Sequence, residues 1–145
     1  MPDFDNPIDV SGGDWIEDHL RRYLATDGVD GHVVQGATTL LLTTIGRKSG
    51  QARRTPLVYG RDGDAILVIA SKGGSTVPPL WYTNLLAEPR ARVQIMGDKF
   101  DVVARDATAD EQPRLWKVMT DIWPAYDDYQ QKTDRPIPVV VLDRA

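Results

Sequence analysis

The stretch that most restricts the fold runs from Thr38 to Arg61. Thr38 to Ile45 is filled with Thr, Leu and Ile, the composition of a strand. Gly46, Arg47, Lys48, Ser49, Gly50, Gln51, Ala52, Arg53 and Arg54 follow: two glycines, a serine and four cations, with no carboxylate among them. Apolar residues resume at Pro56, Leu57 and Val58. This order predicts two strands joined by a glycine-bearing turn, with positive charge on the turn and on the start of the returning strand, Arg53 to Arg61. Arg offers a planar fork of donors suited to phosphate or carboxylate, and Lys adds a mobile point charge. Gly46, Ser49 and Gly50 let the backbone approach an anion and direct N–H groups at it. The functional reading is an anion-binding turn for a phosphorylated cofactor. The plain alternative is a solvated basic hairpin loop, and these residues alone leave both open.

That charge runs against the background, because the chain of 145 residues has a formal net charge of −4. A pI near 5.1 argues against general nucleic-acid binding, which needs a broad basic face. No Cys is present, which excludes disulfides, thiolate metal sites and a Cys nucleophile. His19 and His32 are the two histidines, too few for a histidine-based metal site, so no metal is expected. No apolar run reaches the roughly 20 residues of a membrane span. The acidic start, Met1 to Asp9, is unlike a secretory signal, so a cytoplasmic protein is the expectation.

Residues 1–13 read as a flexible arm and 14–145 as one domain. Asp14 and Glu17 fit a capping box, and Trp15, Ile16, His19, Leu20, Tyr23 and Leu24 recur at helical spacing until Gly28. His19 on that apolar face reads as a packed histidine. Pro56 puts the returning strand at an edge or a bulge. Asp62-Gly63 signals a hairpin, and Ala65 to Ala70 is an apolar run suited to a strand covered on both faces. That run leads directly into Ser71-Lys72-Gly73-Gly74-Ser75, a second glycine-rich turn. Pro78 and Pro79 start a helix that Pro89 halts, with Leu80, Trp81, Asn84 and Leu85 on one face. Trp81 reads as core packing or as the wall of a flat ring site. A hairpin around Gly97-Asp98 follows. The next helix begins near Gln112 or opens with a distorted turn, since Pro113 lies too deep for a start at Thr108. Pro124 breaks it, leaving Tyr126 and Tyr129 either as a staple or as a mobile aromatic lid. Pro138 to Leu142 makes a last strand. About six mostly antiparallel strands with interspersed helices indicate an α+β, small-barrel architecture rather than a doubly wound sheet. No Gly-x-Gly-x-x-Gly, P-loop or Gly-x-Ser-x-Gly motif occurs.

Leu41 to Gly50, Arg53, Pro56, Leu57, Ala70 to Gly74, Trp81-Tyr82, Asn84-Leu85, Ala104 to Ala107 and Ile137 to Val140 closely resemble the deazaflavin (F420)-dependent nitroreductase family. The resemblance runs from about Thr39 to Leu142. It implies a split β-barrel like that of flavin-binding proteins. It also implies the cofactor F420, whose tail carries a phosphodiester and a polyglutamate. On this resemblance Arg47, Lys48, Ser49 and Arg53 hold the tail anions, and Ser71, Lys72, Pro56, Leu57 and Trp81 flank the ring and its linker. The same carry-over adds Arg54, Thr55, Val58, Ile69, Ala70, Leu80, Tyr82, Asn84 and Tyr126 to the cofactor contacts. Ser71, Tyr126 and Tyr129 become the candidate donors to the acceptor.

The implied activity is hydride transfer from reduced F420 to a small electrophile: a quinone, an activated alkene or a nitroaromatic. Relatives that reduce nitroimidazoles often carry Tyr where this chain has Val58, and a further Tyr where Trp123 stands, so the substrate side looks altered. Two other readings remain: a barrel that binds a deazaflavin, haem or fatty acid without turnover, and an ordinary FMN enzyme. Membrane contact has no polybasic anchor to support it, although Trp15, Ile16 and Tyr23 could face a lipidic substrate. The oligomeric state is not legible.

Overall fold

The computed structural model of the chain describes residues 3–9 and 14–145. In chain order the elements are β1 (Ile8–Asp9), α1 (Asp14–Thr26), β2 (Val33–Val34), β3 (Ala37–Ile45), β4 (Ala52–Val58), β5 (Gly60–Asp62) and β6 (Ala65–Ile69). A single helical turn (Lys72–Gly74) follows, then α2 (Leu80–Ala87), β7 (Arg90–Ile95), β8 (Asp98–Asp106), α3 (Gln112–Ile122), α4 (Ala125–Gln131) and β9 (Val139–Arg144). The strands form one sheet in the order β1-β4-β3-β7-β8-β9-β6-β5, with β2 paired to β3. All pairings are antiparallel except β1 with β4. β4 and β6 approach one another without a hydrogen-bonded ladder, so the barrel is split there. The fold is α+β, a mostly antiparallel split barrel with flanking helices.

Strand alternation explains the apolar runs. Leu40 and Leu42 face the barrel interior with Ile66, Val68, Ala70, Val93, Val140 and Leu142. Leu41, between them, faces outward against Leu20 and Tyr23 of α1. Leu67 and Ile69 likewise face outward, beneath Leu115 and Met119 of α3 and Tyr126 of α4. A strand covered on both faces needs no polar alternation, which is why 65–70 reads as continuous apolar sequence.

Nine strands form among the described residues, where the sequence suggested about six. The two-residue β1 and β2 carry no readable period, and the single returning strand expected over 53–61 breaks at Tyr59 into β4 and β5. Pro56 faces Leu41 on β3, and on its other side β4 pairs only at Arg53 and Arg54, so the proline occupies an open edge as its missing N–H requires. α3 begins at Gln112. Thr108 and Glu111 still exchange capping hydrogen bonds one turn earlier, Thr108 N–H to Glu111 Oε1 at 2.9 Å and Glu111 N–H to Thr108 Oγ1 at 3.2 Å.

The arm expected over 1–13 is described only for residues 3–9, and residues 1–2 and 10–13 lie outside the described residues. Its described part sits on the sheet: Ile8 and Asp9 pair with Arg53 and Arg54, and Phe4 is buried beneath the Arg92 guanidinium. Among the described residues no helix is long and apolar enough to cross a membrane.

Candidate functional site

The cationic turn is a built structure. Gly46 N–H donates to the Gln51 carbonyl at 2.9 Å, and Gly50 N–H donates to the Gly46 carbonyl at 2.8 Å. A Cβ on Gly46 would stand 2.7 Å from Ser49 Oγ and 3.2 Å from the Gln51 carbonyl oxygen, so a larger residue there would displace the serine hydroxyl and crowd the turn. Asn84, buried on α2, braces the turn from outside. Its Oδ1 accepts Arg47 N–H at 3.1 Å and its Nδ2 donates to Thr44 Oγ1 at 3.2 Å. Gly46, Arg47, Lys48, Ser49, Arg53, Leu80 and Asn84 line a cavity of about 320 Å³. A second cavity of about 500 Å³ shares Arg53, Leu80 and Asn84 and runs on to Thr55, Trp81 and Lys72, with Ile8 and Asp9 on its rim. The two form one groove between β4 and α2.

Charge is distributed unevenly. Arg21, Arg22, Arg54, Arg90, Arg92, Arg105, Arg114, Lys117 and Arg144 each pair with a carboxylate. Among the described residues Arg47, Lys48 and Arg53 in the groove, and Lys72 at its far end, pair with none, as is also true of Arg61, Lys99, Lys132 and Arg135 elsewhere; the groove stands out because three such cations meet at one turn. Three cations gathered around one glycine turn, in an acidic chain, repel one another unless an anion joins them. The groove therefore fits a long anionic ligand, and its length beyond the turn fits a flat apolar body walled by Trp81.

Strand alternation divides the expected cofactor contacts. Arg53 and Thr55 face the groove, and Leu57, on the same side of β4, packs on the barrel core. Arg54 projects to the opposite face, where Asp9 holds it at 2.6 Å and it lines a different cavity. Pro56, Leu57 and Val58 line a third, apolar pocket of about 170 Å³ together with Trp15, Ile16, His19 and Trp123. The two positions that depart from the family pattern, Val58 and Trp123, thus share one pocket. Ile69 and Ala70 are buried in the two core clusters. Trp81 is 9% exposed, packs in the core and also lines the groove. Leu80 is 71% exposed, not on the buried face of α2 as its spacing suggested; it stands at the groove mouth instead. Tyr82 turns to β8, its hydroxyl donating to the Asp106 carboxylate at 2.9 Å; burial and that carboxylate push its pKa up to about 12.

The corner after β6 is left-handed at three successive residues, with φ of 46° at Lys72, 63° at Gly73 and 86° at Gly74. The lysine costs roughly 1–2 kcal/mol in that region. Ser71 before it is right-handed, and such a reversal turns successive N–H groups to one side. Ser71 is 8% exposed, and its hydroxyl has no partner among the described residues.

Tyr126 and Tyr129 lie on α4, a short helix where the sequence suggested a possible lid. Tyr126 is 6% exposed, packs with Ile69, Leu115 and Met119, and meets Trp116 and Tyr129 ring to ring. Burial drives its phenol pKa upward. Tyr129 receives Trp123 Nε1–H at 3.4 Å. This is the arrangement of a staple: α4 restarts immediately after Pro124, so the proline turns the chain without freeing it. Sequence reasoning missed Ile8, Asp9 and Pro79 on the groove and the bracing Thr44. It also missed Arg135, whose contacts reach back about 60 residues and leave no local pattern.

A family profile described as "F420H(2)-dependent quinone reductase" matches residues 15–144. The chain is 41% identical over 143 residues to the F420H(2)-dependent quinone reductase Rv1261c of Mycobacterium tuberculosis, covering 90% of this chain and 96% of that protein. A solved structure of an F420-H2 dependent reductase (FDR-A) superposes with a TM-score of 0.68 at 37% identity, over 77% of this chain and 98% of that one. Another, described as a domain-swapped dimer, gives a TM-score of 0.71 at 36% identity, over 90% of this chain and 98% of that one. The chain belongs to the F420H(2)-dependent quinone reductase family, oxidoreductases that use reduced coenzyme F420.

Proposed function

We propose that this chain binds F420H2 in the groove between β4 and α2 and reduces a quinone seated in the apolar pocket beside Val58 and Trp123. The observation that carries the reading is the set of cations without carboxylate partners, Arg47, Lys48 and Arg53, opening onto a groove walled by Trp81. Those three, with the Ser49 hydroxyl, take the anionic tail; Thr55, Trp81 and Lys72 take the part beyond it. When bound, the reduced deazaflavin supplies the hydride. The protein's share is to orient, exclude water and stabilise charge. Pro56, Leu57 and Val58 line the pocket next to Thr55 of the groove; hydride passes only between rings in contact, so the acceptor ring meets the cofactor ring across the open edge of β4, where no neighbouring strand intervenes. The Ser71 hydroxyl, which has no partner among the described residues, is the candidate donor to negative charge on an acceptor oxygen. Tyr126 and Tyr129 act behind it as packing that holds Trp123 and Val58 in place.

Quinones are favoured over nitroaromatics and activated alkenes because the pocket wall is apolar at Val58 and carries indole at Trp123, without the added phenols of nitroimidazole-reducing relatives. Oxidation of F420H2 followed by absorbance, with menadione, an enone and a nitroimidazole as acceptors, tests this. Turnover with menadione that exceeds the other two is expected. Binding of F420 without turnover on any acceptor would return the barrel to a carrier role, and purification with bound flavin and indifference to F420 would make it an FMN enzyme.

A further inference from the structure

The left-handed corner at 72–74 begins on a lysine and is closed by Gly74 N–H to the Ser71 carbonyl at 3.0 Å and Ser75 N–H to the Lys72 carbonyl at 3.1 Å. One side chain braces it further, from outside the groove. The Arg135 guanidinium donates to the carbonyls of Ala70 at 3.1 Å, Ser71 at 2.9 Å and Ser75 at 2.8 Å. These carbonyls lie on both sides of the corner, so a single rigid plane spans it. Arg135 forms no ion pair among the described residues and lines none of the groove. It is itself fixed: its N–H donates to Thr133 Oγ1 at 3.3 Å and its carbonyl accepts Gln130 Nε2–H at 2.9 Å, while Gln130 Oε1 accepts Ile137 N–H at 2.9 Å. The helix that carries Gln130 also abuts the corner, since a Cβ on Gly74 would lie 2.6 Å from the Tyr129 carbonyl oxygen.

We propose that Arg135 is a positioning residue for the reaction: by spanning the carbonyls of Ala70, Ser71 and Ser75 it locks the corner that presents Lys72 to the cofactor groove. The role rests on the assignment of that groove to F420. It requires a guanidinium. A lysine has one nitrogen and cannot reach carbonyls on both sides of the corner in one plane. With the span removed, the corner samples other conformations, Lys72 leaves its left-handed state, and the groove loses its far anchor.

Two measurements on Arg135→Gln and Arg135→Lys separate this role from plain support of the fold. Hydrogen exchange without cofactor is expected to speed up at the amides of 71–75 while α3 and β9 stay protected. Titration with oxidised F420 is expected to show Kd raised by roughly tenfold or more in both variants, the scale of losing hydrogen bonds from a charged donor. In a Lys72→Ala background the same substitution should cost much less, because the residue it positions is gone. Unchanged exchange at 71–75 overturns the proposal whether or not F420 binds. So does wild-type F420 affinity in a folded variant, an undiminished loss in the Lys72→Ala background, or failure of both variants to fold, which would make Arg135 scaffold. Wild-type protein that shows no affinity for F420 sinks the groove assignment instead, and the exchange result still decides the clamp.

Discussion

At the scale of single residues, function follows from which cations are already satisfied. Arg53 and Arg54 are neighbours in sequence with identical chemistry, yet alternation along β4 sends them to opposite faces. Arg53 reaches the groove without a carboxylate partner, and Arg54 is held by Asp9. Lys48→Ala and Arg53→Ala are each expected to weaken F420 binding by about 1.5–3 kcal/mol, the range for a hydrogen bond to a charged group. Arg54→Ala is expected to leave it close to wild type. Fluorescence titration of the three variants checks this, and an Arg54→Ala loss equal to that of Arg53→Ala would mean that the groove has been placed on the wrong face. The cationic turn was legible in the sequence because glycine, serine and four cations without an acid form a local pattern. The division between Arg53 and Arg54 was not, because register depends on how β4 pairs with β3. Asn84 shows the same limit: the resemblance singled it out, but its bracing of Arg47 and Thr44 joins segments 37 and 40 residues apart.

At the scale of elements, α2 and α4 both join core to site. Trp81 packs with Leu85, Ala91 and Val93 and also walls the groove. Trp81→Ala is therefore expected to lose about 3–5 kcal/mol of stability in urea unfolding of the apo protein, in addition to cofactor affinity. Stability within 1 kcal/mol of wild type, roughly the size of a surface change, would show that the ring only lines the groove. Gly74 is where α4 meets the corner. Its φ of 86° and the 2.6 Å approach to the Tyr129 backbone leave no room for a methyl group. Gly74→Ala is expected to lower stability by roughly 1–3 kcal/mol and to raise the Kd for F420, as thermal unfolding and titration would show. Most elements were readable: hydrophobic period, proline stops and glycine turns place α1, α2, α3 and the hairpins within a few residues. α4 was hidden because seven residues with two acids in the first turn carry little period, and Pro124 suggested release where it serves as the cap. The short strands were hidden because two residues have no alternation to read.

At the scale of the whole molecule, ion pairs tie strands and helices together around a net charge of −4, while Arg47, Lys48 and Arg53 of the groove have no carboxylate partner among the described residues. Arg105 links Glu111 before α3 to Asp143 on β9, and that guanidinium together with Thr108 N–H holds the Glu111 carboxyl down to about 2. A carboxyl depressed in the folded state stabilises above its unfolded value, roughly 4.3, and that stabilisation disappears as pH falls toward the folded value. The stability gap between wild type and Glu111→Gln is thus expected to narrow from pH 5 to pH 2, with urea midpoints as the measure. Salt acts on the other half of the charge. At 0.01 M ionic strength fields reach about 30 Å, and at 0.15 M about 8 Å. Attraction between the unpaired groove cations and an anionic tail should therefore weaken with salt, and the Kd for F420 is expected to rise. The rise should be shallower in Lys48→Ala, which has one fewer charge to screen. The apolar pocket proposed for the acceptor has no Asp, Glu, Lys or Arg among its lining residues Trp15, Ile16, His19, Val34, Thr39, Pro56, Leu57, Val58 and Trp123. The KM for menadione should then stay nearly constant over the same salt range. Steady-state kinetics at fixed saturation with F420H2 measure one, and equilibrium titration the other. Equal salt dependence of both would mean that cofactor tail and acceptor do not occupy separate, differently charged surfaces.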